Sequence, residues 1–236
     1  LETVSWQSHR TFLARLHFAE VIRAVTMPVM SSREHLTRAF FHRPTLEVAR
    51  DMLGIRLVRL ESEGIRTAGV LTECEAYIGQ EDLGCHARSG RTKRNKSMWG
   101  PPGHAYVYFT YGMHWMLNVV TEEPGFPAAV LIRGMWPTEG IERMKGRRDG
   151  REITSLADGP AKICQALRID GAMDGADICA PRSELFFETG LPVPNRIVTR
   201  GPRVGLNSVP EPWKSIPWRF HIPDDHIQIW IREEMI

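Results

Sequence analysis

Residues 104–111 (HAYVYFTY) and 114–120 (HWMLNVV) alternate with the two-residue period of a strand, and they are joined at Tyr111-Gly112-Met113. Side chains two apart share one face of a strand, and so short a link joins two strands as an antiparallel hairpin. Two further alternating segments, 55–60 (IRLVRL) and 68–78 (AGVLTECEAYI), flank a turn at Glu63 and Gly64. Another strand is expected from Ala128 to Ile132, ending in Arg133.

Helical spacing is confined to short stretches. Thr45 precedes Leu46, Ala49, Met52 and Leu53, with Gly54 as a stop. Thr138 is predicted to cap a helix through about Arg147, and Asp158-Gly159-Pro160 to open another with proline in its first turn. The remainder, rich in proline, reads as loops ending in a strand-like HIQIWI. Strands clustered ahead of helices predict an α+β fold: a single compact domain with a curved, largely antiparallel sheet flanked by short helices.

A chain of 236 residues supports one well-buried core, and no linker or repeat divides it. Residues 33–236 are expected to form that domain. Residues 1–32 read as an N-terminal extension, helical or partly disordered, in which Arg15, Glu20 and Arg23 exclude a secretory apolar core. Met27 or Met30 is a candidate functional start. No apolar run is long enough to span a bilayer, so a soluble, non-secreted protein without membrane contact is expected.

A net charge of +2 is too small to argue for nucleic acid by itself. Its distribution says more: Arg88, Arg91, Lys93, Arg94 and Lys96 follow His86 without an intervening acid, and Lys145, Arg147 and Arg148 form a second group. Such runs are either solvated loop charge or phosphate contacts. Four cysteines without a C-x-x-C pair fit a reducing compartment.

Residues 73–86 (ECEAYIGQEDLGCH) carry the densest chemistry. Alternation puts Val70, Thr72, Cys74, Ala76 and Ile78 on one face, and Leu71, Glu73, Glu75 and Tyr77 on the other. The face with Cys74 looks like core; the opposite face is either wet or a site. Zinc held by Cys74, Cys85 and His86 is disfavoured, because Cys74 points away from Glu75 and no paired short spacing exists. Nothing local marks either thiol as a nucleophile. Two acids beside a phenol, leading into a basic loop, suggest a pocket that stacks a planar ligand near an anionic backbone. An exposed Tyr111 at a hairpin tip either folds back on its own sheet or serves as a wedge between base pairs.

The segments ECEAYIGQEDLGCHAR, RTKRNKSM, PGHAYVYFTYGMHWMLNVV, AVLIR, GPAKICQAL and RVGL together resemble the alkyladenine (3-methyladenine) DNA glycosylase family, in order, from about Phe40 onward. The resemblance implies that residues 33–236 are a DNA glycosylase domain, monofunctional and without cofactor or metal. Glu75 matches the general base that activates water. Arg133 and the main-chain carbonyl of Val204 match the groups that help hold that water. Tyr77, His86 and Tyr108 match the residues that sandwich the extruded base. Asn118 matches the asparagine that opposes the 2-amino group of guanine, and Tyr111 matches the wedge. Met113, His114, Arg91 and Arg94 are the expected DNA contacts beside it.

His114 and Cys74 depart from the family's more usual tyrosine and threonine. The implied function is release of alkylated or deaminated purines (3-methyladenine, 7-methylguanine, hypoxanthine, ethenoadenine) from double-stranded DNA by a monomer. The implied location is the bacterial cytoplasm with the nucleoid, or the nucleus. A non-enzymatic damaged-DNA-binding protein on the same scaffold is the alternative.

Overall fold

The computed structural model describes residues 33–235. The expected N-terminal extension over 1–32 and its alternative start sites lie outside the described residues. Within the described part, strand β2 (Arg66–Ile78) is the spine. Strand β5 (Ala128–Glu139) runs antiparallel along one edge of it from Ala68 to Ile78. The other edge is shared: β1 (Arg56–Leu60) pairs with the first half, and β8 (Arg219–His221) with Glu73 to Glu75. From there β1 pairs with β6 (Leu185–Glu188), β8 with β7 (Thr199–Gly201), β5 with β4 (His114–Val120), and β4 with β3 (Ala105–Thr110). All of these pairings are antiparallel, giving an open eight-stranded sheet.

The principal core lies on the face that carries Cys74 and Ala76, both fully buried. Helix α1 (Arg38–Phe41) inserts Phe41, and α2 (Thr45–Asp51) packs Val48 and Ala49 against β2 and β5. Helix α3 (Ile141–Arg147) buries Met144. Helix α4 (Pro160–Leu167) starts at a proline whose fixed φ suits the first helical turn, and it lays Ile163, Cys164, Ala166 and Leu167 on β4 and β5. A second, smaller cluster of Cys85, Ala87, Met98, Tyr106, Val120 and Ala129 packs against Tyr77, Trp99 and Tyr108.

Three expectations need correction. HIQIWI belongs to a helix, α5 (Asp224–Met235), because burial follows helical spacing: Ile227, Trp230 and Ile231 are inside whereas Ile229 is 58% exposed. Two aspartates in its first turn favour the helix N-terminus, and the Trp230 indole donates to the Pro192 carbonyl at 2.9 Å. Strand β5 does not stop at Ile132 but continues through Pro137, where a register shift against β2 accommodates the missing N–H. Thr138 is therefore a strand residue, accepting from Arg56 at 2.8 Å, and the following helix begins after Gly140 at φ 71°.

The short strands β6, β7 and β8 were not legible, since Pro-rich flanks hide runs of three or four residues. Among the described residues no helix is long and apolar enough to cross a membrane.

Candidate active site

The face of β2 opposite Cys74 is not wet. Glu75 is fully buried there, between Tyr77 of its own strand and partners delivered by two other parts of the chain. Its Oε1 accepts from the Val204 amide at 2.7 Å, and its Oε2 accepts from the Tyr77 hydroxyl at 2.9 Å. Arg133 Nε lies 3.2 Å from Glu75 Oε1 and 3.0 Å from Glu73 Oε1. Arg219, from β8, reaches Glu73 at 3.4 Å.

The sheet register explains how Arg133 comes between the two acids. Glu75 stands opposite Leu131 and Glu73 opposite Gly134, so a register shift leaves Arg133 in the interval. Residue 134 has to be glycine for this, because a Cβ there would lie 2.8 Å from Thr72 Oγ1 and 2.9 Å from Glu73 Cβ.

Burial raises the Glu75 pKa above the ordinary carboxylate value, and this outweighs the opposing pull of Arg133, the Val204 amide and the Tyr77 hydroxyl. Burial also drives the Tyr77 phenol well above its usual range, with the Glu75 charge adding to the effect. Tyr77 is therefore a hydrogen-bond donor and not a base. An ionised carboxylate offers about four lone-pair sites. With two hydrogen bonds accepted and a guanidinium alongside, Glu75 retains capacity for one more donor, such as water.

Tyr77, Arg133 and Val204 line a cavity of about 370 Å³ beside this carboxylate. Its other walls include His86, Tyr108 and Asn118, and Tyr111 stands at its margin. His86 follows Cys85, whose side chain caps the one-turn helix that His86 opens, and its ring lies edge-on to Tyr108 at 4.6 Å. His86 Nδ1 is 2.9 Å from the hydroxyl of Tyr106, a residue only 1% exposed.

His86 as a whole is exposed, yet desolvation of the ring and the Arg94 and Arg88 charges lower its pKa, to about 4. The two guanidinium groups alone would give the same direction. Asn118, 4% exposed, donates from its amide nitrogen to the Tyr106 carbonyl at 3.0 Å, which fixes its orientation.

The hairpin tip is open. Tyr111 is 82% exposed and Met113 66%, and His114 is exposed beside them. Tyr111 adopts φ 53°, followed by Gly112 at φ 68°. A positive φ is uncommon for a bulky residue and costs on the order of 1–3 kcal/mol. Arg94 stacks over Tyr108 at 5.3 Å and donates to the Phe109 carbonyl at 3.4 Å, so it backs the cavity wall while remaining exposed. Arg91 is exposed on the same loop.

The second basic group serves another purpose. Arg147 is bonded to Glu61 and the Ala166 carbonyl, Arg148 to Gln165, and Lys145 to Glu142. The thiols also divide: Cys74 is in the main core, whereas Cys85 accepts from the Ala87 amide and has its pKa raised by burial to about 12. No group of three His, Cys, Asp or Glu side chains among the described residues is arranged to hold a metal ion.

Sequence reasoning missed one pair. Arg203 and Asp82 are both fully buried and form a two-pronged ion pair behind Tyr77. They stand 121 positions apart, and no local pattern joins them.

Residues 39–226 match the family described as Methylpurine-DNA glycosylase (MPG). A protein of Methanocella arvoryzae named "Putative 3-methyladenine DNA glycosylase" is 50% identical over 187 residues, covering 79% of this chain and 91% of its own length. Proteins with the same name from Streptomyces avermitilis and Chlorobaculum parvum are 47% and 41% identical; they cover 82% and 79% of this chain, and 90% and 86% of their own lengths.

Proposed function

Because the chain belongs to the methylpurine-DNA glycosylase family and is thereby a DNA-repair glycosylase, we propose that it extrudes an alkylated or deaminated purine nucleotide from duplex DNA and hydrolyses its N-glycosidic bond. In this reading Glu75 takes a proton from water as the water oxygen bonds to C1′. The C1′–N bond breaks with its electron pair leaving on the base, and an abasic sugar remains. The observation that carries the reading is a fully buried carboxylate beside an arginine, behind a cavity walled by Tyr77, His86 and Tyr108.

Each part has a physical task. A base inside a duplex is shielded, so it must be everted at a cost of a few kcal/mol. Stacking on aromatic walls returns about 1–3 kcal/mol per contact. The cavity falls within the roughly 300–1,000 Å³ range of small-molecule sites.

Bond breaking builds positive charge on the sugar, which an adjacent carboxylate stabilises while it accepts the proton. General base catalysis supplies about 10²–10⁴-fold, and electrostatic stabilisation the larger share. No lysine is among the described residues lining the cavity, which supports an abasic product left uncut. Tyr111, strained and exposed, is suited to fill the gap left by the everted nucleotide.

The test is direct. Duplexes carrying a single 7-methylguanine or hypoxanthine are incubated with the protein and then treated with alkali. Scission that appears only after alkali, at the lesion, is expected. Tight lesion binding with no scission in repeated assays would instead select the non-enzymatic binder.

A further inference from the structure

We propose that Arg203 and Asp82 are positioning residues for the Glu75 carboxylate, holding the Val204 amide and the Tyr77 ring against it from two separate segments. The placement itself stands on geometry; its consequence for catalysis rests on the reading of Glu75 given above.

Val204 hydrogen-bonds Glu75 through its backbone, yet the residue as a whole is 45% exposed and Gly205 follows at φ 85°. Little at residue 204 itself therefore fixes the amide. The anchor is one residue earlier. Arg203, with no exposed side-chain surface, donates Nη1 to Asp82 Oδ2 at 2.5 Å and Nη2 to Asp82 Oδ1 at 2.7 Å. Nη1 also reaches the carbonyl of Ala76, the residue between Glu75 and Tyr77, at 3.0 Å. The guanidinium is flanked by the Tyr77 ring at 4.6 Å and the Trp218 ring at 5.1 Å. A planar, delocalised cation can pair in two places and stack at once; a lysine cannot.

Asp82 secures the other side. It also accepts from the amides of Gly84 at 2.9 Å and Ile78 at 3.3 Å, which shapes the turn leading from β2 to His86. Room for the pair depends on Gly84, where a Cβ would lie 2.8 Å from Arg203 Nη2 and 2.7 Å from Leu206 Cδ1.

The groups facing Glu75 are Glu73 and Tyr77 from β2, Arg133 from β5, Arg219 from β8 by way of Glu73, and Tyr108 from β3, with Cys74 behind it on its own strand. Releasing residue 203 withdraws a donor that favours the ionised carboxylate, so Glu75 should hold its proton to a higher pH.

The experiment uses the full chain and three variants: Arg203→Lys, which keeps the charge without the fork; Gly84→Ala, which keeps both partners but crowds them; and Arg203→Met/Asp82→Leu, which replaces the pair by apolar packing. The Glu75 carboxyl resonance, assigned by its disappearance in Glu75→Gln, is titrated by carbon NMR, and kcat for base release is measured beside affinity for lesion duplex. Expected is an upward displacement of the Glu75 titration in all three, with kcat lower by about 10²-fold and affinity little changed.

Folded variants with an unmoved Glu75 titration and wild-type kcat would overturn the proposal. Should Arg203→Lys fail to fold, the other two decide the matter. A titration that moves in a protein releasing no base would sink the reading of Glu75 as a base while leaving the positioning intact.

Discussion

Glu75 and Asp82 are both fully buried acids on the same stretch of chain, yet their surroundings differ in kind. Asp82 accepts four hydrogen bonds, two from one guanidinium and two from backbone amides. Glu75 accepts two and shares Arg133 side-on with Glu73. A buried charge must be compensated or it shifts its protonation. Asp82 is compensated to capacity and has nothing left to offer a substrate. Glu75 is compensated enough to stay in place and too little to lose its basicity, and burial accordingly raises its pKa. In the function proposed above, saturation marks the structural carboxylate and spare capacity the reactive one.

The largest expected effects separate the two directly. Glu75→Gln should lower base release by at least about 10²–10⁴-fold, measured by single-turnover cleavage, while lesion binding persists in gel-shift titration. Because the folded-state pKa of Glu75 lies above its unfolded value, ionising it on raising the pH withdraws stability. The glutamine variant should therefore melt higher than the parent at pH 7, and the gap should close as the pH falls below the unfolded carboxylate pKa. Asp82→Leu reverses the pattern. Removing one partner of a buried pair costs about 3–5 kcal/mol, which for a domain of this size lowers the melting temperature by roughly 2–4 °C per kcal/mol. Equal loss of stability in the two variants would erase the distinction.

A smaller effect appears in the pH–rate profile. In the proposed mechanism Glu75 must be ionised to accept a proton, so base release should fall with decreasing pH, with its acid limb centred above the ordinary glutamate value of 4.5. A lesion already cationic isolates this limb, since it needs no protonation to leave. An acid limb at or below the ordinary value would mean that burial does not govern the group.

Much of this was legible in the chain and some was not. The alternation in 68–78 and the hairpin about Tyr111 follow from near-neighbour geometry, so β2, β3 and β4 could be read directly. That Glu75 and Tyr77 share a face also follows from alternation, and the 2.9 Å hydrogen bond between the Tyr77 hydroxyl and the Glu75 carboxylate bears it out. The same rule failed at HIQIWI, where every second residue is apolar but a helix buries Ile227, Trp230 and Ile231. A pattern that satisfies both periods is decided by what packs against it. The Arg203–Asp82 pair was invisible for a related reason: its partners meet only when β8 and the loop ahead of it close on β2.

Tyr111 supplies a third contrast, since its exposure means that its role, unlike that of Asp82, carries little of the fold. Tyr111→Ser should leave stability within about 0.5 kcal/mol. Capture of an everted nucleotide should weaken, as a lower affinity for lesion duplex and a smaller yield of base release at limiting protein. Unchanged affinity would remove the wedge from the mechanism.

The finest test compares the two basic segments, which look alike in sequence. Arg91 is exposed on the loop that carries Arg94, with no described partner, whereas Arg147 is committed to Glu61 and the Ala166 carbonyl. A side chain that neutralises a phosphate releases a counterion, so log affinity falls with log salt by about 0.9 per contact on duplex DNA. Arg91→Ala should therefore flatten the salt slope by about one and weaken lesion-bearing and undamaged duplexes alike. Arg147→Ala should leave the slope where it was, because a guanidinium already paired within the fold has no counterion to release on binding. Equal slopes in the two variants would show that exposure in the free protein does not identify the residues that meet the phosphates.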